Sequence, residues 1–308
     1  MMASETVTSV DTQAIIEAER QKLRSRMKPG RYMRELGWRH VIGLAAVIYA
    51  LFPIVFIISA SLNPGGTMTG SNQLFSSIDL ANYTALNETR FWTWFGNSLF
   101  ISVTTAVGTV LMGAAAAYAF SRFRFTGRRI GLTALLVIQM FPQMLAFVAV
   151  FLLVMLIGQV FPSLGFNSSI TLIAVYLGGA LGVNTFLMYG FFNTIPTSLD
   201  EAAKIDGATH TQIYWTIILR LVAPILAVVG LLSFITSFGE YIIASLVLQA
   251  QGEWTLAIGL FNMVSDQLNA NWGTFAAGAV ISAVPVLILF QLLQKYIVGG
   301  LTAGSVKG

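Results

Sequence analysis

Cysteine is absent from the 308 residues, which excludes a disulfide framework, a thiolate nucleophile and a cysteine-held metal. Histidine is almost absent: His40 and His210 are the only two, too few for a histidine metal cluster. Charged side chains make up 10% of the chain, against roughly 25% in a soluble domain. No segment matches the pattern GxxxxGK(S/T), so nucleotide phosphates find no backbone cradle here. Neither paired carboxylates nor a Ser-His-Asp set stand at a common depth, and no residue is a candidate for catalysis. Residues 1–37 are polar without an apolar run, so no cleavable signal peptide is expected.

What is abundant is apolar. Hydrophobic residues make up 56% of the chain and the mean hydropathy is +0.76. A bilayer core needs about 20 apolar residues per helix, and such runs fall at 41–60, 95–120, 130–157, 170–192, 223–248 and 273–293. They predict an all-α polytopic membrane protein with six transmembrane helices. Its parts are a tail at 1–40, a membrane domain at 41–298 and a second tail at 299–308. Gly108, Gly113 and Ala114 to Ala117 in the second run, and Gly178, Gly179 and Gly182 in the fourth, predict close helix packing. Pro142, inside the third run, predicts a kink.

Charge sets the topology. Arg122, Arg124, Arg128 and Arg129 crowd the loop at 121–129, and most other basic residues sit in the tail at 1–40. Grouping these with the loop at 195–224 and the chain end places 16 of the 17 Lys and Arg on one side, leaving Arg90 on the other. The positive-inside rule then makes both termini cytoplasmic, as six crossings require. All six tryptophans fall at or outside the ends of the apolar runs, as an interfacial belt demands. The pI near 9.4 is thus membrane topology rather than a nucleic-acid footprint.

One charged helical stretch interrupts the apolar runs: SLDEAAKIDGATHTQIYWTIILRLVAP, residues 198–224. Ser198 and Glu201 read as a capping box that starts a helix, and Gly207 ends it. Thr209 and Gln212 read as a second capping box. Two short helices across a glycine turn make a compact knob. The order Glu201-Ala202-Ala203, Gly207, Ile217, Leu219 resembles the "EAA loop" of importer-type ABC permeases. That resemblance implies that Glu201, Ala202, Ala203, Asp206 and Gly207 form the coupling helix that docks into an ATPase subunit. Arg220 stands where the family usually has proline, so the second helix is free to run on towards Pro224.

Further segments carry the likeness through about the last 110 residues: EAAKIDGAT, VAPILAV, WTLAIGL, WGTFAAGAVISAVP and LTAGSVKG. They resemble the smaller permease subunit of maltose-type importers. The resemblance implies a type I ABC importer fold in the inner membrane and a maltodextrin or other α-glucoside as cargo. It implies as partners a second, homologous permease, two ATPase subunits that hold the ATP and Mg, and an extracytoplasmic sugar-binding protein; this chain itself would carry no cofactor. The loop at 251–272, with Trp254, Asp266, Gln267, Asn269 and Asn271, would match the outer loop that reaches the binding protein. Thr302, Gly304, Lys307 and Gly308 would match the tail that inserts between the ATPases. The membrane sugar site would lie mainly in the other permease.

Among the 13 acidic residues only Glu240 lies clearly inside an apolar run. Such a residue is a functional-site candidate, and an ion-coupled secondary carrier using Glu240 is the alternative reading. A structural carboxylate, bonded to a neighbouring helix or lining a polar cavity, explains it as well. Gln139, Gln143, Asn184 and Ser237 also lie at mid-span depth, suited either to lining a path for a polyhydroxylated solute or to interhelical bonding.

Overall fold

The computed structural model describes residues 17, 37–64, 74–141, 143–265 and 271–304, and among them all regular structure is helical. The chain divides into two compact units between Phe56 and Ile57. Helix α1 (Trp38–Ser61) is apolar on every side, with Val41, Ile42, Leu44, Ile48 and Tyr49 all exposed, as a lipid-facing helix would be.

The remaining elements run α2 (Ala81–Ala85), α3 (Phe91–Arg122), α4 (Arg128–Gln139), α5 (Gln143–Val160) and α6 (Ser169–Phe192). After α7 (Ser198–Ile205) and α8 (His210–Leu221) come α9 (Ala223–Phe238), α10 (Ile242–Val247), α11 (Leu256–Ser265) and α12 (Trp272–Gly304). Helix α3 packs along α6 and α9, α9 packs on α12, and α4 lies against α6. The expected small-residue contacts are partly realised. Gly108 and Gly113 of α3 admit Leu177 and Met188 of α6, and Gly182 of α6 seats Gln139 of α4. At Gly178 and Gly179 a side chain would meet open space, so these two glycines do not serve close packing.

Among the described residues four helices are long and apolar enough to cross a membrane, α1, α3, α6 and α12, or five with the bent pair α8–α9. The expected count of six is therefore not reached among the described residues. The third predicted span divides into α4 and α5, with the break at Met140 and Phe141, beside Pro142, which itself lies outside the described residues. The amides of Met140 and Phe141 bond to carbonyls three residues back, so the helix tightens as it ends. The fifth predicted span stops ten residues short of its expected end, because the chain breaks at Gly239. Helix α12 continues past its apolar span, Trp272–Ile297, to Gly304.

Candidate functional site

The knob forms, though its first cap differs from expectation. Helix α7 starts at Ser198 with Thr197 as N-cap in helical conformation, and no side chain caps it. The expected Ser198–Glu201 box is thus not made, because Ser198 is already inside the first turn. Gly207, at φ +85°, closes α7 in the left-handed region that glycine enters freely, while Ala208 N–H bonds to Ala203 O at 2.9 Å. The second box is made in full: Thr209 N–H donates to Gln212 Oε1 at 2.8 Å and Gln212 N–H to Thr209 Oγ1 at 3.3 Å. Helix α8 then widens into a π-helical turn at Ile213–Ile218, and α8 and α9 meet at 78° around Val222. Arg220 is exposed and interrupts nothing; the bend falls just before Pro224, which sits in the first turn of α9.

The predicted docking residues divide between two faces. Glu201, Ala202, Asp206 and Gly207 are exposed together with Lys204, and Ile205 is 87% exposed. Ala203 faces inward, into a buried cluster with Tyr118, Phe192, Ile213 and Tyr214.

Sequence reasoning missed what holds the knob from behind. Asp200, in the first turn of α7, forms a buried ion pair with Arg122, the last residue of α3: Nε to Oδ2 is 2.6 Å, and both side chains are under a tenth exposed. Arg122 Nη2 also donates to Ile195 O at 3.1 Å. The acid stands at a helix N-terminus and the base at a helix C-terminus, so each also complements its own helix dipole. Removing one partner would leave a buried charge uncompensated, at a cost of about 3–5 kcal/mol. Tyr118 adds a longer contact, donating to His210 O at 3.4 Å, and its ring lies 5.0 Å from that of Tyr214.

At the opposite end of α3 the backbone of residues 249–256 is held by side chains. Trp94 Nε1 donates to Gln251 O at 2.8 Å, and Asn97 Nδ2 to Gly252 O at 3.1 Å and Trp254 O at 3.0 Å. Ser98 Oγ accepts from Leu256 N at 2.7 Å. Asn167, just before α6, accepts from Gln249 N at 2.7 Å and Ala250 N at 2.6 Å. Of the predicted outer-loop residues, Trp254 packs on Trp94 with ring centres 5.7 Å apart, and Asn271 caps α12 through Thr274 N at 3.1 Å. Asp266, Gln267 and Asn269 lie outside the described residues. The stretch between the last two predicted spans, a polar loop by its sequence, contains α11, whose Leu256 and Ile258 are buried.

The mid-span polar groups have local partners. Glu240 accepts from Tyr176 Oη at 2.6 Å and from the amides of Ile243 at 2.8 Å and Ala244 at 2.9 Å. It thereby caps the start of α10, where Gly239 has ended α9. Gln139 bonds to Gly179 O at 3.0 Å, Asn184 to Ala180 O at 2.8 Å, and Ser237 to Ser233 O at 2.8 Å. The side chain of Gln143 lies outside the described residues, as do those of Thr302 and Lys307 and the whole of Gly308; Gly304 ends α12. A cavity of about 670 Å³ lies between α3, α9 and α12, lined by Leu99, Val107, Leu226, Pro285 and Leu289 among others. No hydrogen-bonding side chain lines it, so a sugar would find no partner there.

Residues 109–302 match the family of binding-protein-dependent transport system inner membrane components. The chain is 40% identical over 286 residues to the galactooligosaccharides transport system permease protein GanQ of Bacillus subtilis, covering 92% of this chain and 99% of that one. It is 40% identical over 291 residues to the maltose/maltodextrin transport system permease protein MalG of Yersinia pestis, covering 90% and 94%. Its structure resembles a chain of a bacterial ABC transporter involved in the import of the acidic polysaccharide alginate. That match has a TM-score of 0.72 and 26% identity, and it covers 86% of this chain and 98% of the other.

Proposed function

This chain belongs to the binding-protein-dependent transport system inner membrane components, and from that membership we propose that it is one of two permease subunits of an ATP-driven importer for a maltodextrin or a similar α-glucoside. It is a multi-pass membrane subunit of a transporter and not itself an enzyme. The relatives are named for maltodextrin and galactooligosaccharides, and the solved structure for alginate. All are saccharides, which supports a saccharide cargo, and the maltodextrin relatives favour an α-glucoside.

The observation that carries the coupling role is the exposed face of α7, where Glu201, Ala202, Ile205 and Asp206 project from a knob whose back is bonded to the body. An apolar side chain as bare as Ile205 at the tip of a capped turn suits a groove on another subunit. With no phosphate cradle in this chain, ATP and Mg act in the ATPase pair that receives the knob. Nucleotide-driven closure of that pair shifts α7, and the spans exchange inward for outward access. In this arrangement α7 and both termini are cytoplasmic, and Thr302, Gly304, Lys307 and Gly308 reach the ATPases. The loop at 251–272, with Trp254, Asp266, Gln267, Asn269 and Asn271, faces an extracytoplasmic sugar-binding protein.

The test is uptake by the complete complex in proteoliposomes. Maltotriose should accumulate only with ATP on the ATPase side and binding protein on the other. Uptake driven by an ion gradient without ATP would overturn the proposal in favour of a carrier coupled through Glu240. That alternative gains nothing from the carboxylate's three donors, which suit a helix cap.

A further inference from the structure

We propose that α3 is the strut joining the α7 knob to the loop at 249–256, fastened at one end by Arg122 and Asp200 and at the other by Asn97. The inference rests on the importer reading and deepens it by naming how the ATPase side senses the binding protein. From Trp94 to Arg122 the helix rises about 42 Å at 1.5 Å per residue, more than the roughly 30 Å of a bilayer core. The helix is therefore long enough to place both fastenings at the membrane surfaces. Helix α3 contains no proline across its 32 residues. The other routes through the body are interrupted: α4 and α5 by a break, α8 and α9 by a 78° bend, α9 and α10 by Gly239, while α12 carries Pro285. Helix α6, unbroken over 24 residues, is a parallel route that reaches the loop through Asn167.

The two fastenings differ in chemistry and agree in effect. At the α7 end a buried ion pair and the Arg122–Ile195 hydrogen bond hold the knob. At the other end one amide, Asn97, holds two carbonyls of the loop, and Trp94 and Ser98 hold its flanks. A displacement of α7 must either break a buried ion pair or move α3, and moving α3 carries the loop. Arg122, Asp200 and Asn97 are positioning residues in this scheme, distinct from the face of α7 that docks.

The experiment is the ratio of ATPase activity with and without maltotriose-loaded binding protein, in the full complex in lipid nanodiscs. Asp200→Asn and Asn97→Ala should each lower that ratio about tenfold, within the usual range of allosteric couplings, while basal ATPase stays near the parental value. The double variant should lose no more than the more severe single, because both cut one connection. Exchanging the pair, Arg122→Asp with Asp200→Arg, should restore part of the ratio. Unchanged ratios in both singles, or additive losses in the double, overturn the strut. So does a large loss in Asn167→Ala with none in Asn97→Ala, which would assign the link to α6. A parental complex that maltotriose-loaded binding protein fails to stimulate counts instead against the importer reading. Spin labels at Ser198→Cys, on α7 outside the docking residues, and at Glu253→Cys, in the loop, both exposed in a chain that has no cysteine of its own, test the strut without touching its fastenings. Their distance distribution should superimpose with and without ATP and vanadate, and a changed distance overturns the proposal even if the fastening variants fail to assemble.

Discussion

Single residues set the two turns that shape the knob. Gly207 holds φ +85°, which costs an ordinary L-residue about 1–2 kcal/mol, and a β-branched side chain there is a genuine outlier. Gly207→Val is expected to assemble yet lower sugar transported per ATP hydrolysed, whereas Gly207→Asn, which tolerates the left-handed region, should stay near parental. Measuring uptake and hydrolysis on the same proteoliposomes separates these outcomes. Glu240 acts locally as well. Glu240→Gln keeps one acceptor oxygen, enough for Tyr176 and the Ala244 amide, and sets its NH2 against the Ile243 amide; one cap bond is lost, and uptake should largely survive in a variant that keeps the parental Tm. Glu240→Leu leaves those donors unsatisfied and should destabilise the subunit by about 1–3 kcal/mol, read as a lower Tm in detergent. A Gln variant without uptake would show that the charge itself is needed.

Elements meet where side chains leave room. Helix α11 lies against α3 because Gly259 presents no side chain to Trp94: a Cβ there would stand 2.0 Å from the indole. Gly259→Ala therefore overpacks the contact, at about 1–3 kcal/mol, and should lower the Tm. Adding Trp94→Leu should recover part of that loss, and an unchanged Tm in the single variant would mean that α11 does not seat on α3. The apolar stretch of α11 falls outside the predicted spans because Gln249 to Glu253 before it and the amides after it are polar. A ten-residue helix between polar flanks is too short for a span, and its burial depends on α3 and α12 rather than on its own pattern.

For the whole molecule the decisive question is whether its two ends communicate. Deleting residues 265–269 should leave the complex assembled, since loop length costs little thermodynamically. Stimulated ATPase and uptake should then fall together. A deletion variant that transports at the parental rate would make this segment a plain connector.

Local chemistry in the sequence was enough to determine the all-α membrane character, the placement of α1, α3, α6 and α12, the Gly207 turn and the Thr209–Gln212 cap. Each depends on residues within one or two helical turns, or on uninterrupted apolar length, and both are read directly from the chain. Tertiary structure alone decided the Arg122–Asp200 pair, the grip of Asn97 on the loop, the capping role of Glu240 and the burial of α11. The deciding partners, Arg122 for Asp200, residues 252 and 254 for Asn97 and Tyr176 for Glu240 (whose amide partners are local), are far apart in sequence, and an acid next to Glu201 or a lone carboxylate in SFITSFGEYIIAS carries no mark of what will face it. The break at Gly239 belongs to the same class, whereas that at Phe141 is announced in the sequence by Pro142. An apolar run tells how much helix lipid will accept, but where that helix stops depends on which neighbouring groups take up the backbone hydrogen bonds it releases.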